Sequence, residues 1–419
     1  MPASSRPASI AVIGGGIVGL TIALALQDRG HAVTIHDADS GTRAGRGHSA
    51  SWGNAGHIAV EQVEPLASPA ALHALPRRLW GQGAALSLPP RDAGAWLPFG
   101  LRLLAASTPG RFAAGRAALA ALMADAMPAW QALAQRLDAP GLLRQDGHLV
   151  VWSDPARAKA GAAGWLGLDT PTARFRPADA GELEEIAALI GRRPAGAIRC
   201  IGSGRIVGHA AVFAALHAAF AAAGGRWRDG PARLERTALG HCRVVGSPPD
   251  DVVVLAAGIG SRPLAQALGH TVPMIAERGY HLHAAGAHWP AELPPVVFED
   301  HAMIVTRFAD GVRASSFVEL ARPDSPPDPR KWQALRHRIR ALNLPFETTH
   351  REWMGARPTL PDYLPAIGRS TRAANLVYAF GHQHLGLTLA PTTARIVADL
   401  VDGTAPAIDL APFDLDRFA

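Results

Sequence analysis

The pattern of apolar positions at the start of the chain predicts a βαβ unit. Residues Ser9 to Ile13 form a short apolar run typical of a buried parallel strand, and apolar positions at helical spacing follow from Ile17 to Arg29. Gly30 is a helix stop, and a second apolar strand is predicted from His31 to His36. Strand, helix and strand in this order make a complete βαβ unit.

Equally apolar strand runs recur much further along, at Asp251–Leu255 and Asn375–Phe380. The other predicted elements are two or three helices within Leu66–Pro140, helices at Pro177–Ile190, Val207–Ala223, Trp332–Leu342 and Thr392–Val401, and strands at Gly147–Trp152, Val296–Val305 and Val312–Leu320. Parallel-type strands this far apart predict an α/β fold with a discontinuous nucleotide-binding domain (1–62, 195–272 and 353–419). A second domain (63–194 and 273–352) is inserted into it.

Composition narrows the class of protein. A chain of 419 residues exceeds one typical hydrophobic core, so two domains are expected. The formal charge of +6 is spread without a dense Lys/Arg run, which argues against a nucleic-acid partner and is compatible with peripheral contact with an anionic membrane. The longest apolar stretch, Ala210–Ala223, is too short to span a bilayer, and the apolar run near the N-terminus is interpreted as part of the fold and not as a secretion signal. A cytoplasmic location is expected, with membrane association on the cytoplasmic face left open.

The first motif is the glycine turn G-G-G-I-V-G between the first strand and its helix. Gly14 permits the tight turn, Gly16 lets a pyrophosphate approach the backbone at the helix N-terminus, and Gly19 lets helix and strand pack closely. Asp37, at the end of the next strand, lies where an acidic residue accepts hydrogen bonds from unphosphorylated ribose. The turn predicts a dinucleotide and does not separate NAD from FAD. Its predicted contacts are Gly14, Gly16, Ile17, Val18, Gly19, Asp37 and Ala38.

Two further motifs consist of small residues. The loop S-A-S-W-G-N-A-G, Ser49 to Gly56, follows the βαβ unit in a Gly/Ser-rich stretch that begins at Gly41, and it suits a path past a ribityl chain and a flavin ring. The strand D-V-V-V-L ends in A-A-G, so that Ala257 and Gly258 allow the backbone to pass close to a nucleotide. Taken alone, each motif fits a surface loop or an ordinary strand end equally well.

The fourth motif contains Arg357, between Gly355 and Pro358. A guanidinium on a stiff loop is well suited to bidentate binding of a carboxylate. The competing interpretation is a structural arginine paired with a nearby acid such as Asp362.

The last motif is G-H-Q-H-L-G-L-T-L-A-P, Gly381 to Pro391. It predicts a loop with Pro391 near the first position of the closing helix, whose N-terminus would stabilise negative charge on a reduced flavin. His382 and His384 stand two residues apart without a third ligand at a recognised spacing, so no metal site is predicted.

Together these motifs resemble the FAD-dependent amino-acid oxidoreductases, which include D-amino acid oxidase, glycine and sarcosine oxidases, and the bacterial D-amino acid dehydrogenases. The dehydrogenases are the most similar. S-W-G-N-A-G is similar to their S-x-A-N-A-G loop, and A-E-R-G-Y-H to their K-G-Y segment, with Arg278 in place of lysine. The resemblance implies a discontinuous Rossmann-like FAD-binding domain with an inserted α+β substrate domain built on an antiparallel sheet.

The resemblance also implies a set of site residues. Arg357 corresponds to the arginine that holds the substrate carboxylate, and Tyr280 lies near a carboxylate-binding or gating tyrosine. His382 is expected beside the flavin as the third catalytic residue. FAD is expected to be noncovalent, because neither Cys200 nor Cys242 lies in a motif for covalent attachment. The expected cofactor contacts are the seven residues of the βαβ unit above together with Ser49, Ser51, Asn54, Ala55, Gly56, Ala257, Gly258, Gly381, His384, Gly386, Leu387 and Thr388.

The activity implied is oxidation of the Cα–N bond of a small D-amino or cyclic imino acid to the imine, by hydride transfer to flavin N5. D-proline, hydroxy-D-proline and D-alanine-like substrates fit, and His57–Pro69 is similar to members associated with hydroxyproline breakdown. The alternatives are an oxidase of sarcosine- or glycine-type amines or of a 2-hydroxy acid, and a non-catalytic FAD-binding electron-transfer subunit. The expected partners are the amino or imino acid and an electron acceptor, either a quinone, an electron-transfer protein or oxygen.

Overall fold

The computed structural model describes residues 7–39, 49–80, 84–346 and 350–419. Residues 41–48 of the predicted loop Gly41–Gly56 therefore lie outside the described part of the chain. The helices are α1 (Ile17–Asp28), α2 (Pro69–His73), α3 (Leu75–Trp80), α4 (Ala93–Ala106), α5 (Pro109–Met123), α6 (Ala126–Arg136), α7 (Pro155–Leu166), α8 (Ala180–Ile190), α9 (His209–Ala222), α10 (Ser261–Ala267), α11 (Pro329–Ala341) and α12 (Gly386–Val401). The strands are β1 (Ser9–Ile13), β2 (Ala32–Asp37), β3 (His57–Ile58), β4 (Leu86–Ser87), β5 (Leu143–Arg144), β6 (His148–Trp152), β7 (Arg174–Pro177), β8 (Gly196–Ile201), β9 (Gly204–Ile206), β10 (Arg226–Asp229), β11 (Leu234–Arg236), β12 (Cys242–Val244), β13 (Val252–Leu255), β14 (Ile275–Ala284), β15 (Val296–Phe298), β16 (Met303–Phe308), β17 (Gly311–Ala321), β18 (Arg351–Thr359), β19 (Ala366–Arg369) and β20 (Leu376–Phe380).

A six-stranded sheet in the order β10-β2-β1-β13-β20-β19 forms the nucleotide-binding core, and β19 is its antiparallel member. Strand β1 is apolar throughout because both of its faces are covered. Ile10 and Val12 pack on the side of α1, α9 and α12, whereas Ala11 and Ile13 pack on the side of α10 and β11–β12. Helix α1 ends before Gly30, which has φ = +87°, as the sequence predicted.

A nine-stranded, mostly antiparallel sheet has the order β18-β14-β17-β16-β15-β6-β8-β7, with β4 paired to β17. Its core lies between the sheet and helices α8 and α11. Strands β8 and β18, which the expected boundaries assigned to the nucleotide-binding domain, pair in this sheet. The six- and nine-stranded sheets confirm the predicted fold class, and the exact domain boundaries stay a prediction.

The prediction for the closing helix was wrong. Helix α12 begins at Gly386, so Pro391 lies inside the helix and not near its first position. A proline there cannot donate a hydrogen bond to the carbonyl four residues earlier, which belongs to Leu387. Trp130 Nε1 donates to that oxygen instead, at 3.0 Å, and the helix continues through the proline.

Between Leu66 and Pro140 the described residues form five helices, α2 to α6, more than the two or three predicted. Pro109–Arg136, which spans α5 and α6, is long and apolar enough to cross a membrane by length and composition, and 44% of its most apolar window is buried inside the protein. The expectation that no apolar stretch is long enough to span a bilayer is therefore wrong for this segment by length and composition. A core helix meets the same criterion, so the observation alone assigns no membrane span.

Candidate active site

The glycine turn lies where the carboxyl ends of β1 and β13 meet. Gly14 has φ = +111°, and a Cβ there would lie 2.5 Å from Ala256 O. A Cβ at Gly19 would lie 1.9 Å from Gly14 O, so both positions require glycine for packing. At Gly16, by contrast, the nearest described neighbour of a Cβ would be Ser51 Oγ at 3.3 Å. Gly16 is therefore the least crowded of these three glycines, and it is the position at which the sequence predicts that a pyrophosphate approaches the backbone.

The N-terminus of α1 is suited to an anion. No acidic residue occupies its first turn, and its N-cap residue is Gly16, which has no side chain to cap the backbone N–H groups. Ile17 N donates to Ser51 Oγ at 3.2 Å, with Val18 next in the turn. Asp37 ends β2, and a Cβ at Gly15 would lie 2.7 Å from Asp37 Oδ2, so the predicted ribose acceptor lies directly beside the turn. Ala257 borders the turn from the end of β13 and Gly258 follows it in the chain, while Ala38 follows β2.

The loop Ser49–Gly56 lies between α1 and the nine-stranded sheet. Arg313, from β17, donates through Nη1 to the backbone oxygens of Trp52, at 3.2 Å, and of Asn54. Asn54 Oδ1 accepts from Gly56 N at 2.7 Å, and Gly56 has φ = +74°. The small-residue motif, including Ser49 and Ala55, is thus held in place beside the glycine turn, as the cofactor hypothesis requires.

Arg357 lies on strand β18, so the prediction that it lies on a loop was wrong. Its Nη1 donates to Glu277 Oε1 at 3.1 Å and to Phe317 O at 3.2 Å, and its side chain is 25% exposed. Glu277, on the neighbouring strand β14, is buried and also accepts from Tyr363 OH at 3.0 Å and Thr359 Oγ1 at 3.3 Å. The buried carboxylate fixes one edge of the guanidinium.

The acid paired with Arg357 is therefore Glu277. Asp362, the partner named in the competing interpretation, instead binds Arg417, with 2.7 Å between Oδ2 and Nε. The guanidinium of Arg357 lies against Gly279 on β14. A Cβ at that glycine would be only 2.2 Å from Nη2. An alanine at position 279 would displace this side chain.

Tyr280 faces away from Arg357. Side chains alternate along a strand, and Tyr280 packs with Phe317 and Trp332 in the core beneath the sheet. Its hydroxyl donates to Glu319 Oε1 at 2.8 Å and accepts from Asp328 N at 3.1 Å. Burial raises the pKa of Tyr280 well above its usual range. The structure thus gives Tyr280 a place in a buried network and does not bring it together with Arg357.

His382, predicted as catalytic, also lies inside the protein. It is 3% exposed, and its Nε2 lies 3.0 Å from Thr393 Oγ1 on α12. Burial lowers its pKa to about 3, so the imidazole is neutral at neutral pH. Its recorded contact ties Gly381–Leu385 to the helix that follows.

The remaining predicted residues lie at the N-terminus of α12. Gly386 is its first residue, and a Cβ there would lie 4.0 Å from Val18 Cγ2, so the N-termini of α1 and α12 are neighbours. Thr388 Oγ1 accepts from Ala59 N at 3.0 Å, with Leu387 buried beside it. The neighbouring His384 bonds through Nε2 to Gln62 Oε1, and burial lowers its pKa to about 4.

Three residues that sequence reasoning missed complete this surface. Glu277 orients Arg357, and the indole of Trp353 stacks on His281 at 4.9 Å between ring centroids and an interplanar angle of 11°. A Cβ at Gly53 would lie 2.0 Å from the same indole. The sequence signal for these residues is that alternate positions of a strand share one face of the sheet. That signal identifies neighbours only once the pairing of β14 with β18 is known.

Comparison with known proteins identifies the family. A family model described as FAD dependent oxidoreductase matches residues 9–400. The chain belongs to this family and is an FAD-dependent oxidoreductase. The glycine turn, the Ser51 loop and the two neighbouring helix N-termini fit the cofactor.

Relatives of known activity match over nearly the whole chain. A D-amino-acid oxidase of Bradyrhizobium diazoefficiens is 30% identical and is covered over 98% of both chains. A D-amino acid dehydrogenase of Cereibacter sphaeroides is 29% identical, over 98% of this chain and 95% of its own. The structure of glycine oxidase from Geobacillus kaustophilus superimposes with a TM-score of 0.71 at 21% identity, covering 99% of this chain and all of that one. The predictions of an FAD-dependent enzyme and of a resemblance to D-amino acid dehydrogenases are confirmed. Noncovalent attachment stays a prediction.

Proposed function

We propose that this enzyme oxidises the Cα–N bond of a small D-amino or cyclic imino acid, with D-proline, hydroxy-D-proline and D-alanine as the leading substrates. Relatives of nearly full length that are named D-amino acid dehydrogenase and D-amino-acid oxidase support the substrate class. The cyclic substrates rest on the resemblance of His57–Pro69 to members associated with hydroxyproline.

The observation that carries the proposal is the guanidinium of Arg357. Its two recorded hydrogen bonds both leave from Nη1, and its side chain remains 25% exposed. A guanidinium that is fixed along one edge loses little entropy when its other edge binds a carboxylate. Arg357 would therefore hold the substrate carboxylate and orient the α-carbon.

FAD would be held by the glycine turn, Asp37, the Ser51 loop and the N-terminus of α12, and it supplies the hydride acceptor. The protein places the substrate and controls charge around it. His382 and His384 are neutral at neutral pH, because burial lowers their pKa values to about 3 and about 4. Arg357 is then the positive group that selects an anionic substrate.

A substrate panel tests the proposal. The purified holoprotein is mixed anaerobically with D- and L-amino acids, cyclic imino acids, sarcosine and 2-hydroxy acids, while flavin absorbance is followed at about 450 nm. Bleaching by D-amino or D-imino acids is expected. Bleaching by sarcosine or a 2-hydroxy acid alone would replace the proposed substrate class, and no bleaching by any member would refute the proposal.

We infer further that the electron acceptor is a membrane quinone or an electron-transfer protein and not oxygen. An exposed stripe on α4 supports membrane contact: Leu97, Leu101 and Leu104 are 52%, 68% and 51% exposed at helical spacing. The exposed Arg102 lies beside the stripe, and the net charge is positive. Oxygen consumption that matches substrate turnover would refute this choice of acceptor.

A further inference from the structure

A second group of chemically active side chains lies outside the site described above. His57 on β3, Glu61 just after it and His148 on β6 bring one ligand atom each to within 4.8 Å of one another. His57 Nε2 and Glu61 Oε1 are 3.7 Å apart, and the two imidazole rings are 4.6 Å apart between centroids. These three residues form the His57–Glu61–His148 cluster.

The cluster is buried and incompletely bonded. Glu61 is 2% exposed and His148 1% exposed. Among the described residues, neither Glu61 Oε2 nor His57 Nε2 has a hydrogen-bond partner. A buried polar atom without a partner costs about 1–3 kcal/mol, so two such atoms in one cluster are consistent with a ligand that binds there.

The third ligand is already oriented. His148 Nδ1 lies 2.9 Å from Ser203 Oγ, which leaves Nε2 as the ring nitrogen for a ligand. A hydrogen bond to the distal nitrogen is the usual support of a metal-binding histidine.

We propose that His57, Glu61 and His148 bind one divalent transition-metal ion. Two imidazoles and one carboxylate match Zn²⁺, with a fourth position for water, and do not match Ca²⁺ or Mg²⁺, which prefer oxygen ligands. The ligands come from the segment after the Ser51 loop and from the nine-stranded sheet. The ion would join the cofactor loop to that sheet, and the site does not depend on the substrate proposed above.

Zinc uptake by the FAD-loaded protein tests the site. Chelator-treated wild type, Glu61→Gln and His241→Gln are dialysed against Zn²⁺, and bound zinc and FAD are measured per chain. His241 is the control, because it is an exposed histidine in the turn between β11 and β12. Wild type and His241→Gln should bind one zinc ion. Glu61→Gln should bind zinc at least about tenfold more weakly with unchanged FAD content.

Ser203→Ala provides a second test of the site in case Glu61→Gln does not fold. Loss of the hydrogen bond to His148 should weaken zinc binding by about 10- to 100-fold without removing a ligand. Wild type that takes up no zinc would overturn the proposal. Equal uptake by wild type and both cluster variants would overturn it as well, since the zinc would then lie elsewhere.

Discussion

Strand β14 presents an arginine–glutamate pair on each of its two faces, and the two pairs differ in exposure. On the face toward the glycine turn, Glu277 binds Arg357, whose side chain is 25% exposed. On the other face, Arg278 and Glu319 pair at 0% and 1% exposure, and Tyr280 donates to the same glutamate oxygen. The same pairing thus leaves a partly exposed arginine on one face, which we propose binds the substrate, and a fully buried arginine on the other.

The difference follows from what covers each face. The face with Arg278 and Tyr280 lies under α11, and the buried Lys331 of that helix adds a contact at 3.4 Å to Glu319. Arg278 and Lys331 both contact the carboxylate of Glu319. On the face with Arg357 the neighbouring positions include Gly279 and Gly355, and the Arg357 guanidinium and the Trp353 indole lie over these two glycines. Glu277 and Arg278 are neighbours in the sequence, but their ion pairs lie on opposite faces of β14 and differ in exposure.

The largest expected effect comes from breaking the buried pair. Glu319→Ala should lower the free energy of unfolding by about 3–5 kcal/mol, because Arg278 and Lys331 would remain buried without their anion. Chemical denaturation measures it. Glu352→Ala, which removes the more exposed pair with Arg336, should cost less than about 1 kcal/mol. Equal losses in the two variants would contradict the contrast in burial.

Removing Arg357 from the partly exposed face should weaken substrate binding. Arg357→Ala should weaken substrate binding by about 1.5–3 kcal/mol, roughly 10- to 150-fold, with FAD still bound. Titration of the reduced or slowly reacting enzyme with a substrate analogue measures it. Arg351→Ala, at an exposed position on the same strand, serves as the control and should bind as wild type does. Retained affinity in Arg357→Ala would remove this residue from the carboxylate role.

Acid should destabilise the interior behind the site through His382. Its folded pKa, about 3, lies below the unfolded value of about 6.5, so the unfolded state binds the proton first as the pH falls. Stability from this group is complete above about pH 6.5, falls by about 2 kcal/mol by about pH 5, and is lost further toward about pH 3. Urea unfolding of His382→Gln should show a correspondingly shallower pH dependence. An unchanged slope would mean that His382 is not buried as a neutral group.

The smallest effect is expected on the outer surface. Leu101→Gln should weaken binding to vesicles with anionic lipids by about 1 kcal/mol, since only part of one side chain enters the interface. Sedimentation with vesicles measures it. Leu239→Gln is the matched control, because that leucine is 87% exposed in the turn between β11 and β12. Loss of binding in the control, or none in Leu101→Gln, would argue against contact through α4.

Sequence patterns predicted the structural features that depend on residues close together in the chain. The turn around Gly14 and the two strands beside it were predictable, because glycine spacing and apolar runs act locally. The pairing of Arg357 with Glu277 joins residues 80 positions apart and needs the register of β14 and β18. The course of α12 through Pro391 depends on an indole from α6 that no local pattern reveals.

The most direct test of the central claim compares a substrate amino acid with its amide in wild type and in Arg357→Ala, by the rate of anaerobic flavin reduction at limiting concentration. Wild type should reduce much faster with the carboxylate than with the amide, by roughly 10- to 150-fold, and the variant should not distinguish them. Discrimination that persists undiminished in Arg357→Ala would contradict the assignment of this face of the sheet to the substrate carboxylate.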